Sequence, residues 1–401
     1  MKAGAPTREL VEIDQRRLLR RLDDLSQRGA LPTGGIHRAL YTEAWTSAME
    51  LVTAWLKEAG ILVRRDAVGN LWGRVEGSRG GRAIVTGSHI DTVRGGGALD
   101  GALGVVAGVE AVTSLWAMFG RPTRILECVA ICEEEGSRFD TNFWGARAIA
   151  DRLEPGEAER ARDADGVTLA AAMRAAGLDP ANAASAARRD LDVFVELHIE
   201  QGPILEEQSA RLGVVTTVAG TAQCEVVVQG QPDHAGAMAM TRPLRMGHPA
   251  VATVGTIVVE PAQINVVPGV ARFSVDARHT DPERRRELVT AIASACKTIA
   301  GERGLEVDVR TLRDRPPVAL NARVADVLRR ACAVAGVEPR DLASGAGHDA
   351  QVLSAAAQTG MLFVPSIGGR SHCPEEATAA EDVVLGTRAL ATALRELAYT
   401  A

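Results

Sequence analysis

Hydrophobic positions along this chain switch repeatedly between unbroken apolar runs and spaced, helix-like patterns, and the switches mark its elements. Ala83-Ile-Val-Thr-Gly is a short apolar run that stops at a glycine, which predicts a buried strand ending in a turn. Ile125 to Cys132, Asp192-Val-Phe-Val-Glu-Leu-His198 and Met361-Leu-Phe-Val-Pro are of the same type. Helices are expected within Arg8 to Gln27 and over Thr42 to Glu58, Ala102 to Ala117, Pro282 to Gly301 and Ala322 to Ala335. The Ala/Arg/Asp-rich residues 154–190 read as low-aromatic helices with frequent turns, and Gly77-Ser-Arg-Gly-Gly-Arg82 as a hairpin turn. From Gly213 the texture changes to short β runs: Leu212 to Val218, Cys224 to Gln229, Ala252 to Val259 and Arg272 to Asp276. The expected architecture is therefore α/β, with residues 1–212 and 319–401 forming one domain and an inserted α+β domain over 213–318, ending near Pro316-Pro317.

Composition narrows the function classes. With 401 residues, 46% hydrophobic and 24% charged, the chain can bury a large core and is expected to form two domains. A net charge of -6 argues against a nucleic-acid surface. The clusters Arg16-Arg17 and Arg284-Arg285-Arg286 are interleaved with acids, as on solvated helix faces. No apolar signal core opens the sequence, and no stretch reads as the roughly 18 apolar residues of a spanning helix, so a cytoplasmic protein without membrane contact is expected. Six scattered cysteines suit reduced thiols. Gly95 to Gly104 lacks both the G-x-G-x-x-G spacing and the Lys-Ser/Thr of nucleotide loops. Those glycines instead suit a close backbone approach to a site and the start of a helix.

The candidate chemistry lies just after the apolar runs. Gly-Ser-His89-Ile-Asp91, Leu-Asp100-Gly, Glu133-Glu134-Glu135-Gly-Ser, Glu196-Leu-His198-Ile-Glu200-Gln201-Gly and Ser371-His372-Cys-Pro-Glu375 together offer three imidazoles and several carboxylates. Two divalent ions about 3.5–4 Å apart can share one bridging carboxylate and one bridging water of lowered pKa. Asp100 is the candidate bridge, and His89 stands eleven positions before it, at a strand's carboxyl end where open α/β sheets place their sites. Asp91 returns to the same side as His89 and suits the imidazole N–H. In the acidic triplet, one Glu can bind metal while its neighbour serves as general base. Acidic triplets are also common on solvated surfaces, a lone His is more often a satisfied core or loop residue, and Cys373 reads as a small loop thiol. Several strand ends each carrying a ligand type favour the functional reading over these.

These stretches resemble the amidase, hydantoinase and carbamoylase branch of the M20 metallopeptidase-like family, which includes allantoate amidohydrolases and N-carbamoyl-L-amino acid hydrolases. The resemblance runs from about residue 35 to the C-terminus. It implies a metal-binding α/β catalytic domain with an inserted lid and dimerisation domain, a homodimer, and two divalent ions per subunit, zinc or manganese, with cobalt and nickel also suited. His89, Asp100 and His198 are then implied to hold one ion, and Asp100, Glu135 and His372 the other. Glu134 is implied as the base, with a one-residue shift to Glu133 as the alternative register. Gln201 matches a residue that contacts the carbamoyl group, Asn265 and Arg278 match residues that grip the substrate carboxylate, and a planar guanidinium suits that task. His348-Asp349 matches a motif near the site. His234 matches a histidine that reaches across a dimer to an oxyanion. Around it the chain departs from the family's His-Ala-Gly-Thr-Thr-Pro-Met and following Arg-x-Asp, having His234-Ala-Gly-Ala-Met-Ala-Met240 and Arg242-Pro-Leu244. The implied activity is metal-dependent hydrolysis of a ureido or carbamoyl C–N bond on a small acid. An aminoacylase or dipeptidase is the nearer alternative, and a non-catalytic homologue the remoter one.

Overall fold

The structure is a computed structural model and describes residues 9–229 and 250–400. The chain forms two compact units, one of Met1–Thr216, Leu320–Leu342 and His348–Ala401, the other of Thr217–Ala319 and Ala343–Gly347.

The first unit opens with α1 (Gln15–Ser26) and α2 (Glu43–Glu58). Each begins at a side chain that accepts an orphan N–H of the first turn: Asp14 from Arg17, and Thr42 from Trp45. The strands β1 (Leu62–Arg65) and β2 (Leu71–Val75) pair antiparallel. Next come β3 (Ala83–His89), α3 (Ala102–Phe119) and β4 (Leu126–Ile131). Both strands are buried at every position, which explains their mostly apolar sequences, and the one carboxylate among them, Glu127, meets Arg74 at 3.0 Å and Arg188 at 2.9 Å. The segment before the next strand holds only short helices, α4 (Trp144–Ile149), α5 (Glu157–Arg160) and α6 (Leu169–Ala175), with a 3-10 turn at Pro180–Ala186. β5 (Leu191–Ile199), α7 (Ile204–Glu207) and β6 (Gly213–Val218) follow.

The second unit contains β7 (Gly220–Gln229), β8 (Val251–Thr253), β9 (Ile257–Glu260), β10 (Val270–His279), α8 (Pro282–Glu302) and β11 (Glu306–Arg315). Its five-stranded antiparallel sheet runs β11-β7-β10-β8, with β9 also on β10. Cys224, Val226 and Val275 form its core, with Val289, Ile292 and Cys296 of α8 packed against them. The single strand expected over Ala252 to Val259 is two strands. Between the pairs Thr253↔Asp276 and Ile257↔Phe273, four steps on one strand meet three on the other. That slip is a bulge around Gly255.

The chain returns through β12 (Val318–Ala319), α9 (Ala322–Val334), β13 (Arg340–Ser344), α10 (Asp349–Leu353), β14 (Gln358–Val364) and α11 (Ala380–Tyr399). The larger sheet has the order β1-β2-β4-β3-β5-β14-β6-β12, with β13 on β6. Its central strands β4, β3, β5 and β14 are parallel, so their carboxyl ends open on one edge. Residues 77–82 do turn the chain, but not as the hairpin expected: β4 lies between β2 and β3.

One helix also departs from expectation. Over its 18 residues, α3 is long and apolar enough to cross a membrane, yet 78% of it is buried. It packs against β3, β4 and β5 and against α1 and α11, as a core helix does. Its fully buried Glu110 meets Arg17 Nη2 at 2.7 Å and Arg21 Nη1 at 3.3 Å, which offsets the desolvation of a lone carboxylate.

Candidate metal centre

Three parallel strands and the loop after a fourth deliver the candidate residues to one place. His89 is the last residue of β3, His198 lies one residue before the end of β5, Glu133 to Glu135 follow β4, and His372 follows β14. The register pairs His89 with Ile131 and His198 with Phe363, so the ends are level. Asp100 sits just before α3, the crossover helix from β3 to β4.

The two oxygens of Asp100 face different partners. Oδ1 lies 3.5 Å from His89 Nε2 and 3.2 Å from His198 Nε2. Oδ2 lies 3.0 Å from His372 Nε2, which is itself 3.3 Å from Glu135 Oε1. Two donor groups result, His89–Asp100–His198 and Asp100–Glu135–His372, each with its ligand atoms within 4.8 Å of one another. They meet at the one shared carboxylate, a geometry suited to a pair of cations. Gly101, next to Asp100, has φ +64, and a Cβ there would lie 2.4–2.5 Å from the His89 ring. Only glycine permits that approach.

Neighbouring groups fix the donors. His89 Nδ1 stands 3.1 Å from the Asp91 carbonyl oxygen and 3.5 Å from Asp91 Oδ1. The Asp91 carboxylate also accepts the N–H groups of Glu134 at 3.0 Å and Glu135 at 3.1 Å, tying the acidic triplet to β3. His198 Nδ1 lies 2.9 Å from the Ile199 carbonyl oxygen. Behind His198, the His348 ring stands edge-on at 4.7 Å, and Glu196 accepts hydrogen bonds from Ser88 Oγ at 2.6 Å and the Ala350 N–H at 3.0 Å.

Gln201 Nε2 donates to Asp100 Oδ2 at 2.8 Å and to Ser371 Oγ at 3.1 Å, so this amide joins the site. Gln201 and His372 both adopt left-handed backbone, φ 59 and 57. That conformation costs a non-glycine residue about 1–3 kcal/mol and is concentrated at functional sites. One carboxylate here was not among the sequence candidates. Glu376, buried, accepts the N–H groups of Leu99 at 2.8 Å and Asp100 at 3.0 Å and pairs with Ser371 Oγ at 2.8 Å. Glu375, where the recognised stretch ended, is exposed and 3.9 Å from Arg370.

The electrostatics are those of a negative pocket that attracts protons. Burial opposes it, yet hydrogen bonds from His198, His372 and His89 hold the Asp100 carboxyl well below the usual carboxylate range. Contact with Asp100, then with Glu135, raises the His372 imidazole to about 11. His89 and His198 are also raised, their contacts with Asp100 outweighing burial. Burial pushes Glu133 and Glu134 well above the ordinary range, with Glu135 adding to both. The oxygens of Glu133 and Asp349 are fully buried without a hydrogen-bond partner. Buried carboxylates of this kind call for compensating positive charge. Imidazole and carboxylate donors suit zinc, manganese, cobalt or nickel, so the residues present fit a pair of divalent cations.

The other candidates are not members of the two donor groups. Asn265 is exposed in a turn of the second unit. Arg278, on β10 of that unit, has its guanidinium engaged: Nε donates to Asp276 Oδ1 at 2.7 Å, Nη2 to Asp276 Oδ2 at 3.2 Å and Nη1 to the Gly345 carbonyl at 2.9 Å. His234 and the altered loop 237–244 lie outside the described residues. Cys373 is a free thiol and belongs to neither donor group.

An α/β sheet whose parallel strand ends and neighbouring loop gather three imidazoles around a shared carboxylate offers donor groups that could hold metal ions. Residues 85–396 match peptidase family M20/M25/M40, and the chain belongs to that family. It is 37% identical over 394 residues to the allantoate amidohydrolase of Escherichia coli, covering 94% of this chain and 96% of the relative. It is 38% identical over 406 residues to the N-carbamoyl-L-amino acid amidohydrolase of Geobacillus stearothermophilus, covering 96% and 99%. Among solved structures, an amidase of the hydantoinase/carbamoylase family from Burkholderia multivorans superposes with a TM-score of 0.85 at 32% identity, covering 97% of this chain and 98% of that one.

Proposed function

We propose that this chain is a metal-dependent amidohydrolase that cleaves the C–N bond of a ureido or carbamoyl group on a small carboxylic acid, allantoate or an N-carbamoyl-L-amino acid, releasing ammonia and CO2. The observation that carries the reading is the division of Asp100, Oδ1 toward His89 and His198 and Oδ2 toward His372. Support for the substrate class comes from the relatives named above, which span nearly the whole chain.

In this reading His89, Asp100 and His198 hold one divalent ion, and Asp100, Glu135 and His372 a second. The ions supply Lewis acidity toward the scissile carbonyl and acidify water. Glu134 takes the proton of the attacking water and passes it to the leaving nitrogen. The choice of Glu134 over Glu133 is supported by access, since Glu134 is 8% exposed and Glu133 fully buried. Gln201, already within hydrogen-bond reach of Asp100, orients the carbamoyl group. Asn265 and Arg278 are assigned to the substrate carboxylate, and Arg278 exchanges its Asp276 partner for it on binding. Residues 1–212 and 319–401 form the catalytic domain of this reading, and 213–318 the lid and dimerisation domain. The enzyme acts as a homodimer in which His234 of the partner subunit stabilises the oxyanion. Exposed Val251, Ile257 and Val258 on short strands of the second unit support an apolar contact there.

The test is ammonia release by protein reconstituted with manganese, and separately with zinc. Substrates are allantoate, N-carbamoyl-L-amino acids and N-carbamoyl-β-alanine, with N-acetyl amino acids and dipeptides scored by free amine. Turnover confined to ureido acids is expected. Turnover confined to the acyl or peptide controls would replace this reading with an aminoacylase or dipeptidase.

A further inference from the structure

We propose that Glu376 is a positioning residue that clamps the loop carrying His372 to the loop carrying Asp100, and that occupancy of the second cation position, Asp100–Glu135–His372, depends on it. The inference rests on the two-cation reading above and adds to it a residue that touches neither ion.

Two halves of one carboxylate do the clamping. Oε1 accepts the backbone N–H groups of Leu99 and Asp100 at 2.8 and 3.0 Å, which sets the turn from which the Asp100 side chain projects. Oε2 lies 2.8 Å from Ser371 Oγ, next to His372. The distance from Ser371 Oγ to Asp100 Oδ2 is 3.0 Å. A hydroxyl has one proton, and here two carboxylates compete for it. When Glu376 accepts that proton, Asp100 Oδ2, which already accepts from Gln201 Nε2, is spared a second donor and keeps that lone pair for a cation. Losing Glu376 would leave two N–H groups without this acceptor and release the Ser371 proton toward Asp100.

A second, independent feature shows that space is kept for this carboxylate. Gly97 packs directly on Glu376, and a Cβ at residue 97 would lie 2.2 Å from Glu376 Oε1 and 2.3 Å from its Cβ and Cδ. No left-handed φ is involved at Gly97. The absent side chain therefore serves the Glu376 contact rather than the turn. The first position shares Asp100 but draws its two imidazoles from His89 and His198, whose ring nitrogens face the Asp91 and Ile199 carbonyl oxygens, whereas the second depends on Glu376 through both Asp100 and the loop of His372, so the second should lose more.

The experiment is metal titration of the purified full chain with manganese and with cobalt, read by bound-metal content and by the visible spectrum of the cobalt form. The variants are Glu376→Ala, Glu376→Gln, Gly97→Ala and Glu376→Gln with Ser371→Ala, with circular dichroism to verify the fold. Wild-type protein is expected to bind two ions. Glu376→Ala and Gly97→Ala should keep the first ion and weaken the second by about 10–100-fold, the usual effect of removing such a support. Glu376→Gln retains an acceptor for the two N–H groups but turns a donor toward Ser371, so it should weaken the second ion too. Deleting the Ser371 hydroxyl in that background should restore affinity. That rescue would not follow from a merely structural role. Glu376→Gln with wild-type affinity for both ions, or equal loss of both ions, would overturn the proposal. Fewer than two ions on wild-type protein would instead overturn the two-cation reading, and the clamp with it.

Discussion

Replacing Glu134 by Gln isolates proton transfer from everything else the acidic triplet does. The substitution conserves volume at a position that is 8% exposed, and it leaves untouched the backbone N–H that donates to Asp91 Oδ1 at 3.0 Å. Asp91 therefore continues to hold Glu135, whose N–H it accepts at 3.1 Å, and the donor group Asp100–Glu135–His372 keeps its geometry. An amide cannot take up the proton of water at neutral pH. General-base catalysis contributes about 10²–10⁴-fold, so kcat should fall by that factor, or ~2.7–5.5 kcal/mol of barrier at ~1.4 kcal/mol per decade. KM should change little, because the lost interaction belongs to the transition state. The assay is steady-state ammonia release on the best ureido acid, with bound metal measured on the same preparation. Full metal content with turnover within about 5-fold of wild type would refute the role. If Glu133→Gln alone abolished turnover, the base would be one residue earlier in the triplet.

Gly101→Ala places a Cβ 2.4–2.5 Å from the His89 ring at φ +64, so it should destabilise the protein by at least ~1 kcal/mol in urea unfolding and lose the first ion; a variant with normal metal content would contradict this. Gln201→Ala should retain both ions and raise KM for ureido acids by about 10-fold or more, the scale of one hydrogen bond to substrate, whereas an unchanged KM would remove Gln201 from recognition. Glu110→Ala strands the guanidinium of Arg21, which is 3% exposed, and should cost about 3–5 kcal/mol by urea unfolding without changing metal content; a loss under ~1 kcal/mol would mean the pair is replaceable. Chelation should abolish turnover, and restoring free metal at 100 times its Kd should stabilise the fold by about 2.7 kcal/mol.

The parts of the fold legible in the sequence were those whose physics is local. β3, β4, β5 and β14 are covered on both faces, so each is mostly apolar, and His89, His198 and the acidic triplet stand out because they end or directly follow such strands. Order within the sheet is not local. Residues 77–82 look like a hairpin turn, and nothing in them reports that β4 slots between β2 and β3. β11 escaped notice because Glu306 to Arg315 carries charge on an edge strand, with Val307 and Val309 as its contribution to the core. α3 was expected over Ala102 to Ala117 and runs to Phe119, but Glu110, Thr113 and Ser114 masked how apolar its 18 residues are as a whole.

The site divides in the same way. Glu376 was missed because it lies in a loop without period, beside a second Glu, and only burial separates the two. Asp276 as partner of Arg278 was legible in principle: residues two apart on a strand share a face. The left-handed backbone at Gln201 has no sequence signature, and the enrichment of histidine in that region is too weak to single out His372.

The most direct test of the central claim is ammonia release from a ureido acid, measured as metal-free protein is titrated with manganese. The account predicts negligible turnover without metal and activity that rises with the second equivalent and then saturates, because both halves of Asp100 must be occupied. Full turnover by the metal-free protein, or saturation at one equivalent per chain, would contradict it.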